Sequence, residues 1–407
     1  MALFVSLLVP LFNLEFNVNH RNLIQAAVAV LCAGAASASM AALVSGGATL
    51  PQNLYTDVRV QKDTQAAGGT NLFSYVGVGS GAGKNAFFNN DQWYLNGNTS
   101  HASPVHFVGS DSVISATELS NYNAGTVAAT AGKLIQVPAV ATSVAVAFNK
   151  AGVSSLNLTS AQLCGVFGGS ITNWNQISSA SGPINVVFRS ESSGTTELFT
   201  RHLEAVCGSS VFTTSTTFTT AHVGAEPSNW VGAAGNPGVR AAIDAADGTI
   251  GYVSPDFIQS KPVAGLYNKN ESGAPARLPA GNGDVSLALS AALLAPTGAN
   301  RTDPTKWVPV VSNPSQGYPI VGTTNLILSQ CYNAAADLGN ATLVLREFFD
   351  RFHARYAAVK TAIGDHQFIA LPDAFVDAAT ATFLGTGDGQ SLQIGLSTQA
   401  QCGGKGR

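Results

Sequence analysis

With 407 residues the chain is too long for one ordinary core, so two domains are expected. Charged residues make up only 11%, against a typical share of about 25%, and the net charge is −3 with no run of Lys or Arg. That excludes charge-driven attachment to nucleic acid or to an acidic membrane; any anion must be held by local groups.

Residues 1–41 read as a targeting segment. Two apolar stretches, Ala2 to Phe16 and Leu23 to Leu31, flank a polar patch containing His20 and Arg21. Arg21, the second stretch and the small residues of AGAASASMAA fit a signal peptide cleaved after Ala38 or Ala41. Leu23 to Leu31 is too short for the roughly 20 residues that span a bilayer. Export to the periplasm or the medium is therefore expected.

Next comes GGATLP, Gly46 to Pro51, where Pro51 suits the first helical position and leaves the N–H groups of Thr49 and Leu50 free before it. VGVGSGAGK, Val76 to Lys84, sets Ser80 among glycines that permit close backbone approach. FVGSDS, Phe107 to Ser112, runs an apolar strand end into Asp111, and Ser115 with Glu118 forms a capping box that starts a helix. LIQVPAV and SVAVAF read as strands, AQLCGVF as a helix, and INVVF as a strand. That last strand runs into RSESSGTT and the amphipathic helix ELFTRHLEAV. Arg189, three serines and two threonines at such a turn make an anion cradle: a guanidinium fork, hydroxyls and the free N–H groups of a helix start. In the helix, Glu197 and Arg201 can pair at i,i+4, and His202 is expected on the surface. Tyr267 to Thr302 reads as loop with one short helix, PIVG and NLILS as strands, and LVLREFFDRFHARYAAVKTAI as a helix. Alternating elements of this kind suggest an α/β fold with largely parallel sheets, and Pro138 and Pro319 are candidate crossing points between two lobes.

Each turn alone is ordinary helix-start chemistry; together they offer N–H groups, hydroxyls, one arginine and one aspartate at strand ends. Several near matches are excluded. Val76 to Lys84 is not a P-loop, because Val78 stands six before Lys84 and Asn85 replaces the required Ser/Thr. It is not a dinucleotide fingerprint either, since Ala82 occupies the third glycine position. No GxSxG or HExxH occurs, and scattered histidines argue against a metal site. Of the five cysteines, Cys32 lies in the targeting segment. Cys164, Cys207, Cys331 and Cys402 remain and suggest two disulfides, with neighbour pairing the simplest of the possibilities.

GGATLPQNLY, GVGSGAGK, GSDSVISATELS, GKLIQVPAV, LCGVFGG, RSESSGTTELFTRHL and SPDF together resemble the DING family. Its members are secreted relatives of the phosphate-binding component of bacterial phosphate ABC transporters. The likeness runs from about Gly46 to the carboxyl terminus; Leu43-Val44-Ser45-Gly46 replaces the family's usual Asp-Ile-Asn-Gly start. It implies a class II periplasmic-binding-protein fold of two α/β lobes: 42–138 and 317–407 in one, 139–316 in the other. It further implies that phosphate is held by Thr49, Leu50, Ser80, Asp111, Arg189, Ser193, Gly194 and Thr195, with no cofactor. Asp111 would accept the proton that phosphate carries and sulfate lacks. The expected protein is a monomer binding inorganic phosphate, with a phosphate ABC permease as partner class. The alternatives are a secreted phosphomonoesterase, which some members are associated with, and a module for a larger phosphorylated ligand. No neighbouring base for Ser193 is evident, which favours binding over hydrolysis.

Overall fold

The computed structural model describes residues 43–61, 73–97, 99–258, 262–279, 283–333, 356–385 and 392–407, together with Leu345, Asp350, Arg351 and His353. The expected targeting segment 1–41 and nine of the 21 residues of the expected helix 343–363 lie outside the described residues; its last seven belong to a helix Ala357–Asp365 that starts after Tyr356.

Two sheets organise the chain. The first is built from β1 (Leu43–Gly47), β2 (Phe73–Gly77), β3 (Phe107–Ser110) and β4 (Leu134–Ser143). Then follow β5 (Ala145–Asn149), β6 (Leu156–Leu158), β7 (Asn185–Arg189), β8 (Val231–Ala233), β9 (Thr249–Val253), β10 (Ala264–Leu266) and β11 (Val321–Ser329). Strand order is β2-β1-β3-β11-β4 in one sheet and β5-β9-β7-β8 in the other, with β6 and β10 paired separately. β1 is parallel to β2 and β3, and β7 to β8 and β9. β11 runs antiparallel to β3 and β4, and β5 antiparallel to β9, so both sheets are mixed rather than largely parallel.

Burial explains the strands' composition. β4, at the sheet's edge, and its neighbour β11 are buried at every position and, Gln136 and Asn325 apart, read as apolar or small-residue runs, as strands covered on both faces do. PIVG and NLILS are thus one strand, β11, and not two. Pro138 does not end β4; it lies within it opposite Asn325, beside a register shift between Thr324 and Asn325 that accommodates its missing N–H. The chain passes to the second sheet only at Val144, between β4 and β5. Later it returns: Gln136 Nε2 donates to Pro304 O over 3.0 Å and Ser143 Oγ to Pro279 O over 2.5 Å.

The helices that matter for the site follow strand ends. They are α1 (Gln52–Thr56), α2 (Ser80–Asn89), α3 (Ala116–Ala124), α4 (Ser160–Phe167), α5 (Gly194–Cys207) and α6 (Gly235–Ala245). The Ser115/Glu118 capping box forms at α3, and Thr159 with Gln162 makes a second at α4. Cys164 bonds Cys207, tying α4 to the end of α5, and Cys331 bonds Cys402. Neighbour pairing is therefore correct. His202 is not a surface residue: it is buried, Nδ1 lies 3.0 Å from Ser312 O, and burial pushes its pKa down to about 4.

Candidate functional site

β1, β2, β3 and β7 end at Gly47, Gly77, Ser110 and Arg189, and all eight sequence-predicted residues lie at or just beyond those ends. Each is buried although most are polar. Ser80 is the first residue of α2; Ser193 caps α5, its Oγ accepting from Thr196 N over 3.2 Å. Pro51 sits one step earlier than expected, as the residue capping α1. The first N–H groups of an α-helix have no partner inside the helix, and its dipole adds positive potential there.

Direct contacts join the predicted residues. Asp111 N donates to Ser80 Oγ (3.2 Å), Thr195 Oγ1 to Asp111 Oδ2 (3.4 Å), and Arg189 Nη1 to Thr195 Oγ1 (3.3 Å). Gly194 has no room for a side chain: a Cβ there would stand 2.5 Å from Ser112 N, 2.6 Å from Asp111 Cβ and 2.6 Å from Ser80 Oγ. The first turn of α5 is thus pressed directly onto the β2 and β3 ends of the other sheet. A seam continues outward, where Gly81 N donates to Ser192 O over 3.2 Å. A Cβ on Gly81 would come within 2.3 Å of Ser192 Oγ.

The electrostatics centre on two residues. Arg189 is 1% exposed. Its Nε donates to Glu191 Oε1 over 2.9 Å and its Nη2 reaches the same oxygen, so one edge of the guanidinium is held by Glu191 and the Nη1 edge faces Thr195. Asp111 is 2% exposed, and burial pushes its carboxyl up to about 7. The Thr324 hydroxyl, the Arg189 charge and the Thr195 hydroxyl pull it back, while Glu197 pushes it further up. Asp111 Oδ1 is buried and accepts no hydrogen bond among the described residues.

Sequence reasoning missed a second layer. Glu197 pairs with Arg201 as expected, but its Oε2 also accepts from Ser112 Oγ over 2.6 Å, and Ser112 Oγ accepts from Lys84 Nζ over 2.9 Å. Lys84 in turn meets Glu118 at 2.7 Å. The N-terminus of α6 was missed as well. Gly235 N donates to Glu191 Oε1 (3.1 Å) and Asn236 N to Thr49 Oγ1 (3.1 Å). The available signal was GNPG directly after a short extended run, with Pro237 in the first helical turn. Three helix starts, those of α2, α5 and α6, converge on one buried polar centre.

Comparison with known proteins gives consistent relatives. A family model described as a PBP superfamily domain matches residues 33–342. Alkaline phosphatase L of Pseudomonas aeruginosa is 42% identical over 392 residues, covering 95% of this chain and 99% of that protein. A phosphate-binding protein from an unknown prokaryotic organism is 42% identical over 391 residues, covering 89% and 98%. Among solved structures, a high affinity periplasmic phosphate-binding protein (PfluDING) bound with phosphate matches with a TM-score of 0.80 at 42% identity, covering 90% of this chain and 99% of its own.

Proposed function

The chain belongs to the DING phosphate-binding branch of the PBP superfamily, and on that premise we propose that it is an extracytoplasmic receptor closing over inorganic phosphate between its two sheets. The observation that carries this reading is Asp111: a buried carboxyl, pushed up to about 7, set among helix N-termini and one arginine. Such a group is costly beside a fully ionised oxyanion. It is favourable beside one that still carries an O–H, because the ionised carboxylate accepts that proton. Backbone N–H groups at Thr49, Leu50, Gly194 and Thr195, the hydroxyls of Ser80 and Ser193, and the Nη1 edge of Arg189 serve the bare oxygens.

In this reading one lobe comprises 43–143 with the returning segment after 283, and the other 145–266. These limits are supported by the step from β4 to β5 and by the bonds of Gln136 and Ser143 to the returning chain. Beside the expected limits at 138 and 317, the proposed first limit follows the step from β4 to β5 and the second follows the returning chain. Export is supported by the two disulfides, which persist in oxidising compartments. A phosphate ABC permease is the partner class, and the protein acts as a monomer.

Phosphomonoesterase activity is the second reading, favoured by the relative named Alkaline phosphatase L. Two features oppose it. The Ser193 hydroxyl is engaged in capping α5, and the α5 turn that carries it is packed directly against Ser80, Asp111 and Ser112 at Gly194. Isothermal titration of phosphate-stripped protein with phosphate and with sulfate, beside a phosphomonoester assay on the same batch, decides between them. Tight phosphate binding without turnover is expected; turnover at a rate abolished by Ser193→Ala would reverse the assignment.

A further inference from the structure

Asn236, second residue of α6, is fully buried. The orientation of its amide follows from its neighbours. A backbone N–H is a donor and nothing else, and that of Ser254 lies 2.8 Å from Asn236 Oδ1. The other end of the amide is therefore Nδ2, which stands 3.0 Å from Thr49 Oγ1 and 3.4 Å from Thr195 Oγ1. The backbone N–H of Asn236 also donates to Thr49 Oγ1, over 3.1 Å.

A hydroxyl carries one proton and two lone pairs. At Thr49 both lone pairs face donors of Asn236, so only the proton is left to give. The same holds at Thr195, whose Oγ1 accepts from Arg189 Nη1 and Asn236 Nδ2 and whose proton goes to Asp111 Oδ2. Neither threonine can turn an acceptor toward a ligand without breaking a buried bond.

The geometry points to Asn236 as a positioning residue that fixes the hydroxyl protons of Thr49 and Thr195, and so makes Thr49 an obligate donor to the bound anion. The inference rests on the phosphate reading. Its consequence is a defined ligand register: the face at Thr49 takes only a bare oxygen, and the ligand's single O–H is left to Asp111. Asn236 touches no ligand atom in this scheme; it selects through hydrogen-bond polarity.

A double-mutant cycle tests it, read by titrating phosphate-stripped protein with inorganic phosphate. Asn236→Ala is made in the parent, in Thr49→Val, which removes the hydroxyl at similar size, and in Thr49→Ser, which keeps it. The loss in the parent should exceed the loss in Thr49→Val by about tenfold, within the range of direct pairwise coupling, and should persist in Thr49→Ser. A ratio below about threefold overturns the inference, because a packing role, or the orphaned Ser254 N–H, would cost the same in both backgrounds. If Asn236→Ala does not fold, the isosteric Asn236→Asp enters the same cycle. Its carboxylate accepts from Ser254 and draws the Thr49 proton inward, so the same excess loss is expected. A parent that fails to bind phosphate refutes the functional reading before any substitution is made.

Discussion

Replacing Asp111 by asparagine removes a titrating group that burial holds far from its ordinary range. In the folded protein the carboxyl keeps its proton up to about pH 7, whereas the ordinary value is 3.8. Between those limits the folded state binds a proton that the unfolded chain has released. Stability therefore falls as pH rises, by about 1.4 kcal/mol per pH unit, until the folded carboxyl ionises. Across a gap of roughly three pH units the cost is on the order of 4 kcal/mol. Asparagine carries no such cost. Urea unfolding of phosphate-free parent and Asp111→Asn from pH 4.5 to 8 should give curves that diverge steadily in the mutant's favour, then run parallel above about pH 7. Taking the difference between the two proteins cancels every other titrating group. Curves that stay parallel across the whole range would mean the carboxyl is ionised throughout, and burial would not hold Asp111 above its ordinary range.

The same substitution should lower the phosphate-to-sulfate affinity ratio at fixed pH and ionic strength, since sulfate no longer meets a carboxylate; an unchanged ratio in folded mutant assigns discrimination elsewhere. Arg189→Ala should weaken phosphate binding by about 2–5 kcal/mol in titration, because it also leaves Glu191 without its guanidinium partner; binding equal to the parent would remove Arg189 from the site. Replacing Cys331 and Cys402 by serine should cost about 2–5 kcal/mol in unfolding experiments, and non-reducing peptide mapping of the parent should recover both bonded pairs. Free thiols at those positions would contradict the pairing.

The turns were legible because helix starts have a local vocabulary. GGATLP, GVGSGAGK and RSESSGTT announce themselves by glycine, hydroxyl and proline spacing; β1 and β2 end side by side in one sheet, and the turn after β7 of the other sheet packs against them at Gly194. Cysteine order left three pairings open, of which the simplest, between neighbours, is the one formed. Partnerships across the two sheets were not legible. Ser112 with Glu197, and Asn236 with Thr49, are far apart in sequence and carry no periodic signal. The burial of His202 was hidden for a related reason: it depends on Ser312, which arrives from a loop more than 100 residues later. The single strand β11 was split in reading because Gly322, Thr323 and Thr324 look like a turn when their burial is unknown.

The seam at Gly81 and Ser192 bears on timing. An anion held in the proposed site would leave only when the contacts at Gly194 and that seam part. Residence time then depends on the seam as well as on the donors, because parting the halves must break both. A partner that pries at Ser192 would unload the cargo by drawing the α5 donors away from those that follow β1, β2 and β3.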